Sequence, residues 1–406
     1  TPIALPESPG SKFRHRGVYL FTGGLLEIGT AMCHYLAQTY QTRLVLLEPE
    51  PFPDPQEWDE WLVSHGPENA ISERIRQVQA LRQAGSEVIV VGIDWTNGVL
   101  IKKAVAEAIS RFGPINGVIH NARLLGERSF RMIAETRVLE SEWHFQPKIH
   151  ALRHLAEALG DHPLDFCLLN SSLSSVVGGV GMAAYAAANS FIDAFAIGQH
   201  QHFGGVWTSV NWDAWLHTQV SLISPEWAKY ALASEEGVAA LEQILAASGV
   251  DQIILSTVDL AARRQSLKSK SEQPISADKL QTRHKRPQLP VPYVAPASDH
   301  ERLLAELWQS IFGIEQIGML DNFFDLGGDS LLAVQAASQL KKEFAIDVPI
   351  VSLYERLTIR ALAELIENLE VSGTTDDTGN AVEKKAEREV RMNQRREIQQ
   401  RERAKR

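Results

Sequence analysis

Cysteine is nearly missing from this chain: Cys33 and Cys167 are the only two among 406 residues. Both stand in apolar stretches and read as core thiols, so a disulfide framework is not what holds the fold. Long apolar runs are missing too. None approaches the about 20 residues that span a bilayer, and no secretion leader opens the chain. Thr1 stands where an initiator methionine would, so the sequence reads as a stretch of a longer polypeptide. Positive charge is in deficit, with a net charge of −10, which argues against general nucleic-acid binding. Together these absences predict a cytoplasmic protein with neither membrane nor nucleic acid as partner. Metal-ligand spacing is lacking as well. The thirteen histidines are scattered, and His120, closing a strand-like run, reads as a satisfied core histidine.

What is present is ordinary globular material, 44% hydrophobic and 22% charged, long enough for two or more domains. Residues 1–16 read as a linker. From 17 to 260, short apolar β-type runs (VYLF, RLVLL, EVIVVGID, GVIH, DFCLLNSS, WTSVNW, QIILSTV) alternate with amphipathic helical stretches. That rhythm predicts an α/β fold, a Rossmann-like doubly wound parallel sheet. A proline-rich insertion ending in a long helix separates the second and third runs. Residues 261–297 are basic, polar and proline-rich, as a linker would be. Residues 298–370 form a compact helical unit, 371–380 a second linker, and 381–406 a helical tail. The tail holds ten Lys or Arg against five Glu, a local excess of five positive charges.

The sharpest motif is FFDLGGDSLLAVQAASQL, residues 323–340. Gly327 and Gly328 permit a tight turn before a helix. Ser330 then falls at the helix N-terminus, where the field favours a phosphodiester. Read alone, DSL is a helix cap. Read with its flanks, the unit resembles the acyl and peptidyl carrier proteins, with a separate small four-helix domain. The resemblance implies that a phosphopantetheinyl transferase attaches 4′-phosphopantetheine to Ser330, whose thiol then carries acyl intermediates. Asp329 and Leu331 would help dock the transferase and partner domains. GGDS followed by LLAVQ leans toward hybrid polyketide–peptide assembly lines.

The larger region also has a motif set. LLNSSLSSVVGGVGMAAYAAANSF carries Ser172, Tyr185 thirteen residues on, and Asn189 four further; FQPKIHALRHL offers Lys148. Tyr185 and Asn189 share a helix face. With GVIHNAR and VNWDAW, these residues resemble the catalytic half of a modular polyketide ketoreductase, a relative of the short-chain dehydrogenases/reductases, over about residues 14–260. The resemblance implies that Tyr185 protonates a ketone as hydride arrives, Ser172 bonds the same oxygen, Lys148 lowers the tyrosine pKa and Asn189 completes the relay. It further implies an NADPH turn at Gly23, Gly24 and Gly29, with Asp94 toward adenine.

That turn departs from the pattern. Leu26 and Glu27 replace glycines where bare backbone should meet a pyrophosphate. At about 4 Å a carboxylate repels it by about 1 kcal/mol in water-like surroundings and about 4 at an effective dielectric near 20. Pro49 stands where the resemblance places the arginine that grips the 2′-phosphate, within Glu48-Pro49-Glu50, and Arg123 replaces a strand-end glycine. A lost charge-assisted bond adds about 1.5–3 kcal/mol. A micromolar complex has only about 8 kcal/mol to lose. The sequence therefore predicts a degenerate, structural pseudo-ketoreductase followed by a working carrier, with NADPH excluded; an active NADPH-dependent ketoreductase acting on the carrier-bound β-ketoacyl thioester is the alternative. Partners implied are the transferase, the other domains of a multienzyme synthase, a homodimeric mate in the full-length synthase, and a next subunit docked by the tail. Glu27 and Arg123, opposite in charge on two sides of the groove, are expected to project into it and pair.

Overall fold

The structure is a computed structural model. It describes residues 10–373 apart from 27, 50–51, 67–68, 124–132, 134–135, 180, 203–205, 216–230, 248, 266–283, 288, 290, 324, 327–329, 345–347, 349–355 and 357. It divides into two compact units, a larger one holding a sheet and a smaller one holding the C-terminal helices.

All seven apolar runs become strands: β1 Val18–Thr22, β2 Arg43–Pro49, β3 Glu87–Ile93, β4 Gly117–His120, β5 Phe166–Ser172, β6 Trp207–Trp212 and β7 Gln252–Ile254. They form one parallel sheet in the order β3-β2-β1-β4-β5-β6-β7. The near-continuous hydrophobicity of β1 and β2 is that of strands covered on both faces. Successive side chains alternate between the faces. Tyr19, Phe21, Leu44 and Leu46 join one core, against α1 (Ile28–Tyr40), α3 (Ala70–Gln83) and α9 (Ser234–Ala246). Leu20, Val45, Leu47 and Val118 join the other, against α4 (Gly98–Phe112), α6 (Ala151–Leu159) and α8 (Ala183–His202). Cys33 lies in the first core and Cys167 in the second, both buried.

Local signals start the helices. Asn69 caps α3 by accepting from Ile71 N and Ser72 N, and Asn97 caps α4 by accepting from Leu100 N. The insertion after β2 adds the short α2, Trp58–His65, whose Trp58 is buried against the first core. Before α6 the chain widens into one π turn, Gln146–His150. Pro147 sits inside it and has no N–H to give a carbonyl four residues back.

The smaller unit packs α10 (Asp299–Phe312), α11 (Ser330–Phe344) and α12 (Ile359–Gly373) around Leu304, Trp308, Phe323, Leu340 and Leu362. These are the three carrier helices among the described residues. Ser298 and Glu301 form a capping box at α10, and Gly313, with φ +66°, ends it. Part of the stretch expected to be linker belongs to this unit. His284 N donates to Gly313 O at 2.7 Å, Met319 N to Val294 O at 2.9 Å, and Arg286 grips Asp321 through Nε (2.9 Å) and Nη2 (2.6 Å). The tail expected at 381–406 lies outside the described residues.

Candidate functional site

The parallel register sets the site. Thr22 at the end of β1 pairs with Leu47 on one side and His120 on the other. The turn Gly23–Ile28 therefore rises between the ends of β2 and β4. Gly23 needs its glycine: φ is +69°, and a Cβ would stand 2.9 Å from Asn121 O. At Gly29 a Cβ would stand 2.5 Å from Gly23 O. Asn121 draws the turn inward, Nδ2 donating to Gly23 O (2.9 Å) and Leu26 O (3.1 Å). Leu25 and Leu26 are buried.

The turn's N–H groups can be followed one by one. Gly23 N donates to Leu47 O at 2.8 Å. Leu25 N donates to Glu48 Oε1 at 2.8 Å. Leu26 N goes to Gly23 O and Gly29 N to Leu26 O. Four donors of the turn, those of Gly23, Leu25, Leu26 and Gly29, are thus occupied within the protein. Asp94, one residue beyond β3, accepts from Thr96 N (2.9 Å) and Thr96 Oγ1 (2.8 Å), which holds its carboxyl group below the usual range. Glu27 lies outside the described residues, so the expected pairing with Arg123 stays an expectation.

The four expected catalytic residues sit on adjacent elements. Ser172 ends β5, and its Oγ accepts from Ser174 N at 3.2 Å. Tyr185 and Asn189 lie on α8, where Asn189 Nδ2 donates to Tyr185 O at 2.9 Å. Lys148, buried in the π turn, places Nζ 5.7 Å from the Tyr185 ring centroid and donates to Asn170 O at 3.3 Å. Burial, and then the charge of Arg123, bring its pKa down to about 7 against the opposing pull of Asp193. His120 is buried, with Nδ1 2.8 Å from Thr22 Oγ1; burial and then Lys148 bring it down to about 3, so it is neutral.

Four residues matter here that sequence reasoning did not single out. Asn170 Nδ2 donates to Asn121 Oδ1 at 3.0 Å, so Lys148, Asn170, Asn121 and the turn form one hydrogen-bonded chain. His144, buried on α5 (Val138–Phe145), meets the Tyr185 ring edge-on at 5.5 Å. Asp193 accepts from Ser175 Oγ (2.7 Å) and Asn211 Nδ2 (2.8 Å) beneath α8. The signal for Asn121 and Asn170 was a polar residue just past or inside an apolar strand. Among the described residues no group of three or more His, Cys, Asp or Glu side chains is placed to hold a metal ion. Ser330 is the first residue of α11, a fifteen-residue helix, a position that fits a phosphodiester. Gly327–Asp329 lie outside the described residues.

Comparison with known proteins agrees with this arrangement. Residues 17–217 match the family model for the KR domain, and residues 302–366 that for the phosphopantetheine attachment site. Polyketide synthase PksL of Bacillus subtilis (strain 168) is 26% identical over 370 residues, covering 87% of this chain and 8% of that protein. Gramicidin S synthase 2 of Brevibacillus brevis is 53% identical over 74 residues, 18% of this chain and 2% of that protein. The chain therefore spans a small fraction of these relatives' length. Among solved structures, the N-terminal ketoreductase from the macrolactin assembly line aligns with a TM-score of 0.50 and 25% identity over 65% of this chain and 48% of that one.

Proposed function

Because the chain carries a KR domain followed by a phosphopantetheine-attachment domain, and resembles polyketide synthases along most of its length, we propose that it is an assembly-line segment whose working part is the carrier. Ser330 Oγ takes the phosphopantetheine group of coenzyme A, releasing adenosine 3′,5′-bisphosphate, in a step run by a separate transferase. The arm's thiol then holds acyl intermediates. The KR domain before it is structural and non-reducing.

One observation carries the non-reducing reading. The N–H groups of Gly23, Leu25, Leu26 and Gly29 already have acceptors inside the protein. A pyrophosphate would have to break those bonds, each worth about 1 kcal/mol net, without water to repay them. The second reading, an active NADPH-dependent ketoreductase, draws on the closeness of Lys148, Tyr185 and Asn189. In that reading Tyr185 gives its proton to the ketone oxygen, and Lys148 stabilises the phenolate left behind. Intact mass after incubation with coenzyme A and a broad transferase tests the carrier; titration with NADPH tests the KR domain. The 53% identity of the carrier stretch to gramicidin S synthase 2 supports a hybrid polyketide–peptide line. The basic tail is read as the element that docks an acidic partner on the next subunit, in a cytoplasmic, homodimeric synthase.

A further inference from the structure

We propose that Glu48 is an internal acceptor that closes the glycine turn: from β2 its carboxyl group takes the Leu25 N–H, a turn donor that would otherwise face a dinucleotide, with Arg74 beside it as counter-charge. The proposal deepens the non-reducing reading and rests on it.

Register places Glu48 at the turn. Leu47 lies opposite Thr22, so residue 48 falls directly beside the start of the turn. Gly23 N already bonds Leu47 O, and Leu25 N turns to the Glu48 carboxyl group. The end of β2 thus takes two N–H groups of the turn, one through its backbone and one through a side chain. A glycine at 48 would leave Leu25 N without that acceptor.

The surroundings show a group held inside the protein. Glu48 is 0% exposed. Arg74 reaches over from α3, its Nη1 3.4 Å from Pro49 O and its guanidinium 5.6 Å from the centre of the Phe52 ring. Among the described residues, Cys33 on α1 also feels Glu48: its buried thiol is pushed up by burial and by Glu48. Burial raises the Glu48 carboxyl group to about 7, against the pull of Leu25 N–H, Arg74 and Gly24 N–H. Its second oxygen, Oε2, is buried with no hydrogen-bond partner. In either protonation state Oε1 remains an acceptor for Leu25. The insertion supplies α3 and Phe52, so the same segment that lengthens the β2–β3 connection also holds this closure.

Amide hydrogen exchange on the full chain, read at residues 23–29, together with NADPH titration of the same samples, tests this. In the wild type, the Leu25 amide should exchange more slowly than an open-chain amide by at least about a hundredfold, and NADPH should not saturate at millimolar concentration. In Glu48→Gly that amide should speed up by at least about tenfold, roughly one lost hydrogen bond, while β1 stays protected; NADPH affinity should rise by a similar factor. Glu48→Gln, which keeps shape and an acceptor oxygen, should keep Leu25 slow. A Leu25 amide that is fast in the wild type overturns the proposal, even if Glu48→Gly does not fold. A Leu25 amide that stays slow in Glu48→Gly, or that opens with no gain of NADPH binding, also overturns it and leaves the non-reducing reading standing. Micromolar NADPH binding by the wild type sinks the non-reducing reading itself, before any variant is made.

Discussion

At the scale of single residues, two buried charges give the site a pH signature. Glu48 ionises near 4.5 when unfolded and near 7 when folded. Between those values the folded protein keeps a proton that the unfolded chain has released. Stability contributed by this group therefore falls as pH rises through that window, by up to about 3 kcal/mol, and levels off above about 7. Glu48→Gln should remove that slope, as seen in urea unfolding midpoints from pH 4.5 to 8; an unchanged slope would mean that the carboxyl group is ionised throughout. Lys148 is the second case. Arg123 adds to the burial that lowers it, so Arg123→Gly should move the Lys148 side-chain titration to higher pH by NMR, and no movement would place Arg123 away from it. Spacing alone put Tyr185 and Asn189 on one face, and both lie on α8; the catalytic roles of these two, of Ser172 and of Lys148 were expected from the family resemblance. Glu48 could be seen as an acid in the wrong place, but not as the partner of Leu25. That pairing depends on the register of β2 beside β1, which no local pattern encodes.

At the scale of elements, the turn is tied from two sides, by β2 through Glu48 and by β4 through Asn121. Asn121 gives one amide N–H₂ to two turn carbonyls and accepts from Asn170. Asn121→Ala would leave those groups buried and unpaired, and should cost about 2–3 kcal/mol in denaturant unfolding; a loss below about 0.5 kcal/mol would show that water replaces the amide. Gly29→Ala should be at least as damaging, since its Cβ meets the Gly23 carbonyl and not a movable side-chain end. The strands were readable because parallel strands buried on both faces are apolar throughout. The π turn that carries Lys148 was not, because nothing in QPKIH distinguishes it from helix except Pro147. Residues 284–297 were read as linker from their composition. Proline-rich, polar chain can still pack when one arginine finds a buried carboxylate.

At the scale of the whole molecule, the proposal is a working carrier that follows, in sequence, a domain that has kept its fold. The Arg286–Asp321 pair implies that the carrier starts well before the capping box at Ser298. Arg286→Ala strands a fully buried Asp321 side chain and should destabilise the carrier unit by about 3 kcal/mol; an unaltered melting transition of that unit would make residues 284–297 a bystander. The central claim, that Ser330 is loaded and the KR domain does not reduce its load, meets its most direct test in one intact-mass measurement. The full chain is charged on Ser330 with an acetoacetyl-phosphopantetheine arm and incubated with NADPH. The account predicts that the arm appears on the wild type but not on Ser330→Ala, and that its mass does not change on incubation. A gain of two hydrogens on the arm, or an arm on Ser330→Ala, would contradict it.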